Sequence, residues 1–344
     1  MKNPLRIFKN RFLVVTFLLL LFLIYFFNYS SQHSKDFNKD KNNLPIIAIT
    51  QIVEHPALNQ EKESIINFLS EHGFKDGINI KIVDKNAQGS IANASQIATQ
   101  LASLKPKVLV AISTPSAQSC IKPCLENNIP MVFSAVSDPL AARLINQNPK
   151  HKNNIGGATD SIDAQVILKL MIDLLGSKLK KIGIIYNSGE VNSSQEVQRF
   201  EKIALEKGIE VVTASASKTV DVPTATSKLI SEKIDAIYVP NDNTVVSALS
   251  GLNIIAEKAK VPVFSGDVAT VELGVSASEG YDRKDIGRNV GKMILRVMNN
   301  EDLQEEVIVK HKTKIIINKI NAKEIGLQIP NSFLQNPNVE FLGK

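Results

Sequence analysis

The sequence contains no tryptophan, only five tyrosines and only two cysteines, and it has no long basic run in its body. Each scarcity excludes something. Single-stranded nucleic acid is gripped by aromatic platforms in a basic groove, and duplexes by a clustered basic footprint; this chain has neither. Four of its six net positive charges lie on Lys2, Arg6, Lys9 and Arg11, so the body carries about +2, spread along its length. Cys120 and Cys124 are four apart with no further cysteine or nearby histidine, which assembles no zinc set. Two buried thiols and a local disulfide both fit that spacing. Of the five histidines, His33 falls in a polar stretch and His311 near the C-terminal end. There is no G-x-S-x-G elbow, HExxH pair, Walker A loop or dinucleotide fingerprint. No catalytic centre, cofactor or metal site is implied, and the chain does not read as an enzyme.

What is present begins with an apolar run. From Phe12 to Phe27 there are sixteen residues with one threonine and no charge, preceded by the basic flank. As a helix this run spans about 24 Å, slightly short of a bilayer core. A cleaved signal peptide and an uncleaved signal anchor compete for it. The following Asn28-Tyr29-Ser30-Ser31 offers no small-x-small cleavage site and no lipid-bearing cysteine, which favours an anchor over residues 1–29. The basic flank would stay cytoplasmic, placing the rest outside the membrane. Residues 30–43 are polar and aperiodic, as in a spacer.

From Pro45 onward, short apolar runs alternate with amphipathic helical stretches. Strand patterns fall at 45–53, 78–84, 108–113, 130–136, 181–187, 209–214, 236–240 and 261–266. Helix patterns fall at 57–72, 91–104, 115–127, 163–175, 192–207, 222–232 and 244–259. Such alternation implies βαβ units with parallel sheets covered on both faces, and 344 residues suffice for two domains. Residues 105–139 and 233–268 echo each other: strand, polar turn, helix, proline-led strand with Phe-Ser, then an acid. The expected fold is two similar doubly wound parallel-sheet lobes with a hinge, preceded by one N-terminal transmembrane helix.

Ligands of open α/β sheets bind beyond the strands' C-terminal ends, so the polar turns there are the candidate site. Ser113, Thr114 and Ser116 open a helix, whose N-terminus suits a carboxylate, with Thr114 placed as the N-cap and Pro115 as the first helical residue. Plain helix capping accounts for the same residues. Asn187 and Ser188, with Asn192 and Ser193, supply neutral hydrogen-bonding groups in the corresponding turn of the second half. Asp242, followed by Asn243, and Asp267 follow buried-looking strands, where a carboxylate can pair with a ligand ammonium or cap a helix. Asp138, after Ser137, is the first-half analogue. His55, after the first strand, fits a ligand contact or a capping or surface role equally.

In combination these segments resemble a known family. QIVEHPAL (51–58), LSEHGFKDGINIKIVDKNAQG (69–89), STPSAQ (113–118), FSAVSDP (133–139), IYNSGEVNS (185–193), PNDNT (240–244), FSGD (264–267) and IINKINAKEIGLQIP (316–330) are similar to motifs of an ABC-transporter substrate-binding protein family. That family includes the tryptophan- and tyrosine-binding lipoproteins. The resemblance covers roughly 45–330 and departs at Ser90, where the family pattern has an acid. It implies a type I periplasmic-binding-protein fold that closes on a small solute, an amino acid by analogy, and delivers it to ABC permease and ATPase subunits. A sensory ectodomain of the same fold is the alternative. The lobes would be 44–157 plus about 276–300, and 158–275 plus about 301–330, with 331–344 as a tail. The carried-over ligand residues are Ser113, Thr114, Ser137, Asp138, Asn187, Ser188, Asn192, Ser193, Asp242, Asn243 and Asp267.

Overall fold

The structure, a computed structural model, describes residues 44–145, 154–303, 307–308 and 313–343. The expected anchor at 1–29, the spacer at 30–43 and His311 lie outside the described residues. Among the described residues no helix is long and apolar enough to cross a membrane.

The first lobe alternates β1 (Ile46–Gln51), α1 (Pro56–Glu71), β2 (Lys81–Asn86), α2 (Ile91–Ser103), β3 (Val108–Ile112), α3 (Thr114–Glu126), β4 (Met131–Ser134) and β5 (Ile155–Ala158). The second comprises α4 (Ala164–Leu175), β6 (Lys181–Tyr186), α5 (Val191–Glu206), β7 (Glu210–Ser215), α6 (Val222–Ser231), β8 (Ala236–Val239), α7 (Asn243–Ser247), α8 (Leu249–Lys258), β9 (Val263–Ser265) and β10 (Ala277–Tyr281). The chain then adds α9 (Arg283–Met298), β11 (Val307–Ile308), β12 (Thr313–Asn318), α10 (Lys319–Ile325), α11 (Asn331–Leu334) and β13 (Val339–Leu342).

Two sheets result, in the orders β11-β5-β4-β3-β1-β2 and β13-β12-β10-β9-β8-β6-β7. Central strands such as β3 (VLVAI) and β8 (AIYV) are buried at every residue, because helices cover both faces of the sheet. Several helices begin where a short polar side chain accepts a free backbone N–H: Ser90 from Asn93, Asp163 from Gln165, Asp282 from Lys284. At Gly157 in β5 a Cβ would sit 2.1 Å from the Phe133 carbonyl, so the close approach to β4 requires glycine. The cysteines are buried free thiols in the first-lobe core, and burial pushes Cys124 up to about 12.

Four details differ from the sequence expectation. Residues 277–281 form β10 in the second sheet rather than the first lobe, and the return to the first lobe starts at α9, packed on α1. Residues 307–308, assigned above to the second lobe, pair as β11 with β5 of the first. Residues 331–343 are no tail, since β13 pairs in parallel with β12. The second sheet is also mixed, because β12 runs antiparallel to β10. The cause is the path: the chain leaves β10 at its C-terminal end, visits the first lobe, and re-enters from that same side. The next strand must therefore run the other way.

Candidate functional site

The lobes present the C-terminal ends of β1, β3 and β4 on one side and of β6, β8 and β9 on the other. Nine buried side-chain polar atoms among the described residues lack a protein hydrogen-bond partner, and eight of them sit at the C-terminal ends of β1 and β2 or in the turns and helix starts that follow β1, β3 and β6. They are Thr50 Oγ1, Gln51 Oε1, His55 Nδ1, Asn86 Nδ2, Ser113 Oγ, Thr114 Oγ1, Ser116 Oγ and, from the second lobe, Asn192 Oδ1. Each such atom costs about 1–3 kcal/mol if left unpaired, so their concentration on one face marks a surface built to be completed. The backbone is strained there too: Ser113 (φ 87°) and Ala135 (φ 50°), which follow β3 and β4, hold left-handed torsions without being glycine. Ser113 rather than Thr114 is the N-cap residue of α3, and its side chain makes no capping bond.

In the second lobe the polar groups are tied to one another. The Asp242 carboxylate accepts from Val245 N (2.8 Å), Asn187 N (2.6 Å) and Ser193 Oγ (2.6 Å). It caps α7 and braces it to the turn before α5. Glu190, which sequence reasoning passed over, accepts from the backbone N–H groups of Asn243 and Thr244, from both their side chains, and from Asn192 Nδ2. Burial, followed by repulsion from Glu190, raises the Asp242 pKa.

Between the lobes lies a cluster of which sequence reasoning found only Asp267. Arg283, at the start of α9, is 5% exposed and meets three buried carboxylates. Its Nη1 lies 2.8 Å from Asp160 and 3.4 Å from Glu61, and its Nη2 lies 3.1 Å from Asp267. Glu61 belongs to α1, Asp160 to the crossover after β5, and Asp267 to the turn after β9, so one guanidinium joins both lobes and the hinge. Burial pushes the Glu61 carboxyl up to about 7 despite Arg283 and a hydrogen bond from Ser134. His55, 8% exposed, is buried rather than a surface residue, and burial lowers its pKa to about 4.

The predicted residues therefore separate into groups. Ser137, Asn192, Asp242, Asn243 and Asp267 line one interlobe cavity of about 20 Å³, together with His55, Asp160 and Arg283. That volume holds about one water. Asn187, with Asn243 again, lines an adjoining cleft of about 430 Å³, walled by Ile52, Val53, Ile91 and Pro115 of one lobe and Glu190, Val220 and Thr244 of the other. Ser113 and Thr114 are buried at the start of α3. Ser193 is a buried support for Asp242, and Ser188 is exposed beside Ser215. Asp138 caps Ala141 N and reaches across to Arg199 of α5 at 3.0 Å, which makes it an interlobe contact. A groove of about 750 Å³ at the opposite strand ends is lined by the second lobe alone.

Two α/β lobes closing strand ends over a shared polar cleft, joined by several crossovers, define a two-lobed solute receptor. The chain belongs to the ABC transporter substrate-binding protein family, which matches residues 46–340 and consists of receptors rather than enzymes. It is 35% identical over 302 residues, 88% of this chain and 86% of the relative, to a tyrosine-binding protein of Clostridioides difficile (strain R20291). Among solved structures it is similar to an ABC domain from Streptococcus pneumonia in complex with L-Trp (31% identity, TM-score 0.80, covering 87% of this chain and 100% of that one). It is also similar to the ligand-free, open structure of a substrate-binding protein with adhesive properties from Clostridium difficile (34% identity, TM-score 0.65, covering 88% and 100%). At nearly equal identity, the lobes match the ligand-bound arrangement better than the open one.

Proposed function

We propose that this chain is the extracytoplasmic receptor of an ABC importer and captures an aromatic amino acid, tyrosine or tryptophan, between its lobes. In this reading residues 1–29 tether it to the membrane, and the loaded receptor delivers its solute to permease and ATPase subunits. The observation that carries the ligand class is the run of buried, unpartnered polar atoms at the facing strand ends, beside a cleft of about 430 Å³ whose walls mix apolar residues such as Ile52, Val53, Ile91 and Val220 with polar ones. That volume falls in the usual range for small-molecule sites, about 300–1,000 Å³. The relatives that bind tyrosine and tryptophan supply the aromatic part of the reading.

The site residues take distinct roles. Ser113, Thr114 and Ser116, at the N-terminus of α3, hold the ligand carboxylate with hydroxyls that have no other protein partner. Ser137, Asn192, Asp242, Asn243 and Asp267 surround the head group, and Asn187 stands beside the ring. Asp138, Ser188 and Ser193 act behind this layer. Opening of the lobes is required for entry, since the inner cavity admits only a water-sized group.

Because the chain has no tryptophan, indole fluorescence in a titration comes from the ligand alone. Tyrosine, tryptophan, phenylalanine and leucine are titrated, with the melting temperature followed in parallel. Tyrosine or tryptophan should bind at micromolar or tighter levels and raise the melting point, since it stabilises only the folded state. No shift with any aromatic amino acid at about 1 mM would exclude the assignment.

A further inference from the structure

The inner cavity carries more negative than positive charge. Asp160 and Asp267 line it against Arg283 alone, because His55, with its lowered pKa, is neutral and burial raises the pKa of Asp242. The three carboxylates are not equally engaged. A carboxylate offers about four acceptor positions. Asp242 uses three on donors of its own lobe. Asp267 uses three on Ala269 N and two nitrogens of Arg283. Asp160 receives one donor on each oxygen, Ser137 Oγ at 2.9 Å and Arg283 Nη1 at 2.8 Å, and has the most capacity left.

A second feature on the same wall points the same way. Asn192 is 3% exposed, and its Nδ2 donates to the Asn241 carbonyl at 2.6 Å and to Glu190 at 3.3 Å. Those two acceptors fix the orientation of the amide, which leaves Oδ1 as a buried acceptor without a donor. A cavity of about 20 Å³ with surplus negative charge and an unused acceptor fits a small cationic donor, the size of one water or one ammonium.

Resting on the amino-acid reading above, we propose that Asp160, together with Asn192 Oδ1, recognises the α-ammonium of the bound amino acid. Arg283 is the positioning residue that holds the Asp160 carboxylate in the cavity wall. The receptor therefore demands a free amine and rejects the matching hydroxy acid. Asp242, whose acceptor positions are largely occupied within its own lobe, supports the wall.

The test uses the full-length chain in mild detergent, titrated with L-tryptophan and with indole-3-lactate, which replaces the ammonium by a hydroxyl. The wild-type protein should prefer tryptophan by about thirtyfold or more. Asp160→Asn should lose most of that preference, by weakening tryptophan and leaving indole-lactate binding nearly unchanged, which also reports that the variant is folded. If Asp160→Asn does not fold, Arg283→Lys takes its place: it keeps the charge, loses the fork, and should weaken tryptophan selectively, so an equal loss for both ligands overturns the proposal. Preference retained in Asp160→Asn overturns it as well. Equal wild-type binding of both ligands removes the ammonium site while the aromatic reading stands. Binding of neither, with no binding of tyrosine either, removes both.

Discussion

Replacing Arg283 by methionine keeps most of the side-chain volume and removes the only cation among Glu61, Asp160 and Asp267. All four residues are at most 6% exposed, so solvent cannot replace the lost charge. Removing one partner from a buried ion pair typically destabilises by about 3–5 kcal/mol, a large share of the roughly 5–15 kcal/mol that holds a folded protein together. The loss should depend on pH in a definite direction. Without Arg283 the buried Glu61 carboxyl, already raised to about 7, loses the cation that held it down, so the native state binds more protons and regains stability as pH falls. Urea unfolding of wild type and Arg283→Met at pH 8 and pH 5 measures both parts. With a slope of about 3 kcal/mol/M, the midpoint should drop by about 1–1.7 M at pH 8 and by clearly less at pH 5. Equal midpoints at pH 8, or a larger loss at pH 5, would refute the charge-cluster explanation.

The wild type should itself lose stability from pH 5.5 to pH 8. Burial raises Glu61 and Glu196 to about 7 and raises Asp242 as well, so the native state keeps protons the unfolded chain has released; His55, lowered to about 4, opposes this only below its unfolded pKa of about 6.5. A melting temperature that stays level or climbs over that range would show that these acids are not buried as described. Arg199→Gln removes a half-exposed interlobe pair with Asp138, worth up to about 1 kcal/mol, so ligand affinity should fall by up to about fivefold at low salt. In high salt the difference should vanish as the charges are screened, and a loss independent of salt would assign Arg199 some other role.

The strand–helix alternation was legible from Pro45 onward because buried parallel strands leave continuous apolar runs. The polar turns at strand ends were equally visible, since they combine hydroxyls and amides with helix starts. The ion cluster was not, because Glu61 and Asp160 are joined to Arg283 across 222 and 123 residues, a proximity that only the fold creates. One signal was available in each half. Glu61 precedes Ile65 and Phe68 by four and seven residues, and Glu196 precedes Phe200 by four, so each acid lies on the apolar face of its helix. An acid in that position is buried with a partner: Glu61 accepts from Ser134 and Arg283, and Glu196 from Tyr238 and Asn241 N. Asp242 illustrates the opposite limit. Its position at a strand end marks it as polar and buried, but only the coordinates show how many donors its own lobe supplies.

The passage of α9 and β11 back to the first lobe has a consequence for how the molecule is made. Most of the second sheet, β6 to β10, is contiguous in sequence, whereas the first lobe lacks its covering helix until residues beyond 283 have emerged. Gly287 lies against the α1 backbone, where a Cβ would approach the Glu61 carbonyl to 2.6 Å, and Ser64 donates to the Lys284 carbonyl 220 residues away. Contacts of that sequence separation close late and slow folding. The lobe synthesised first is thus finished last, with the flank of α1 that α9 will cover left open while the later lobe consolidates. During biogenesis that flank is where a chaperone would find its longest-lived foothold.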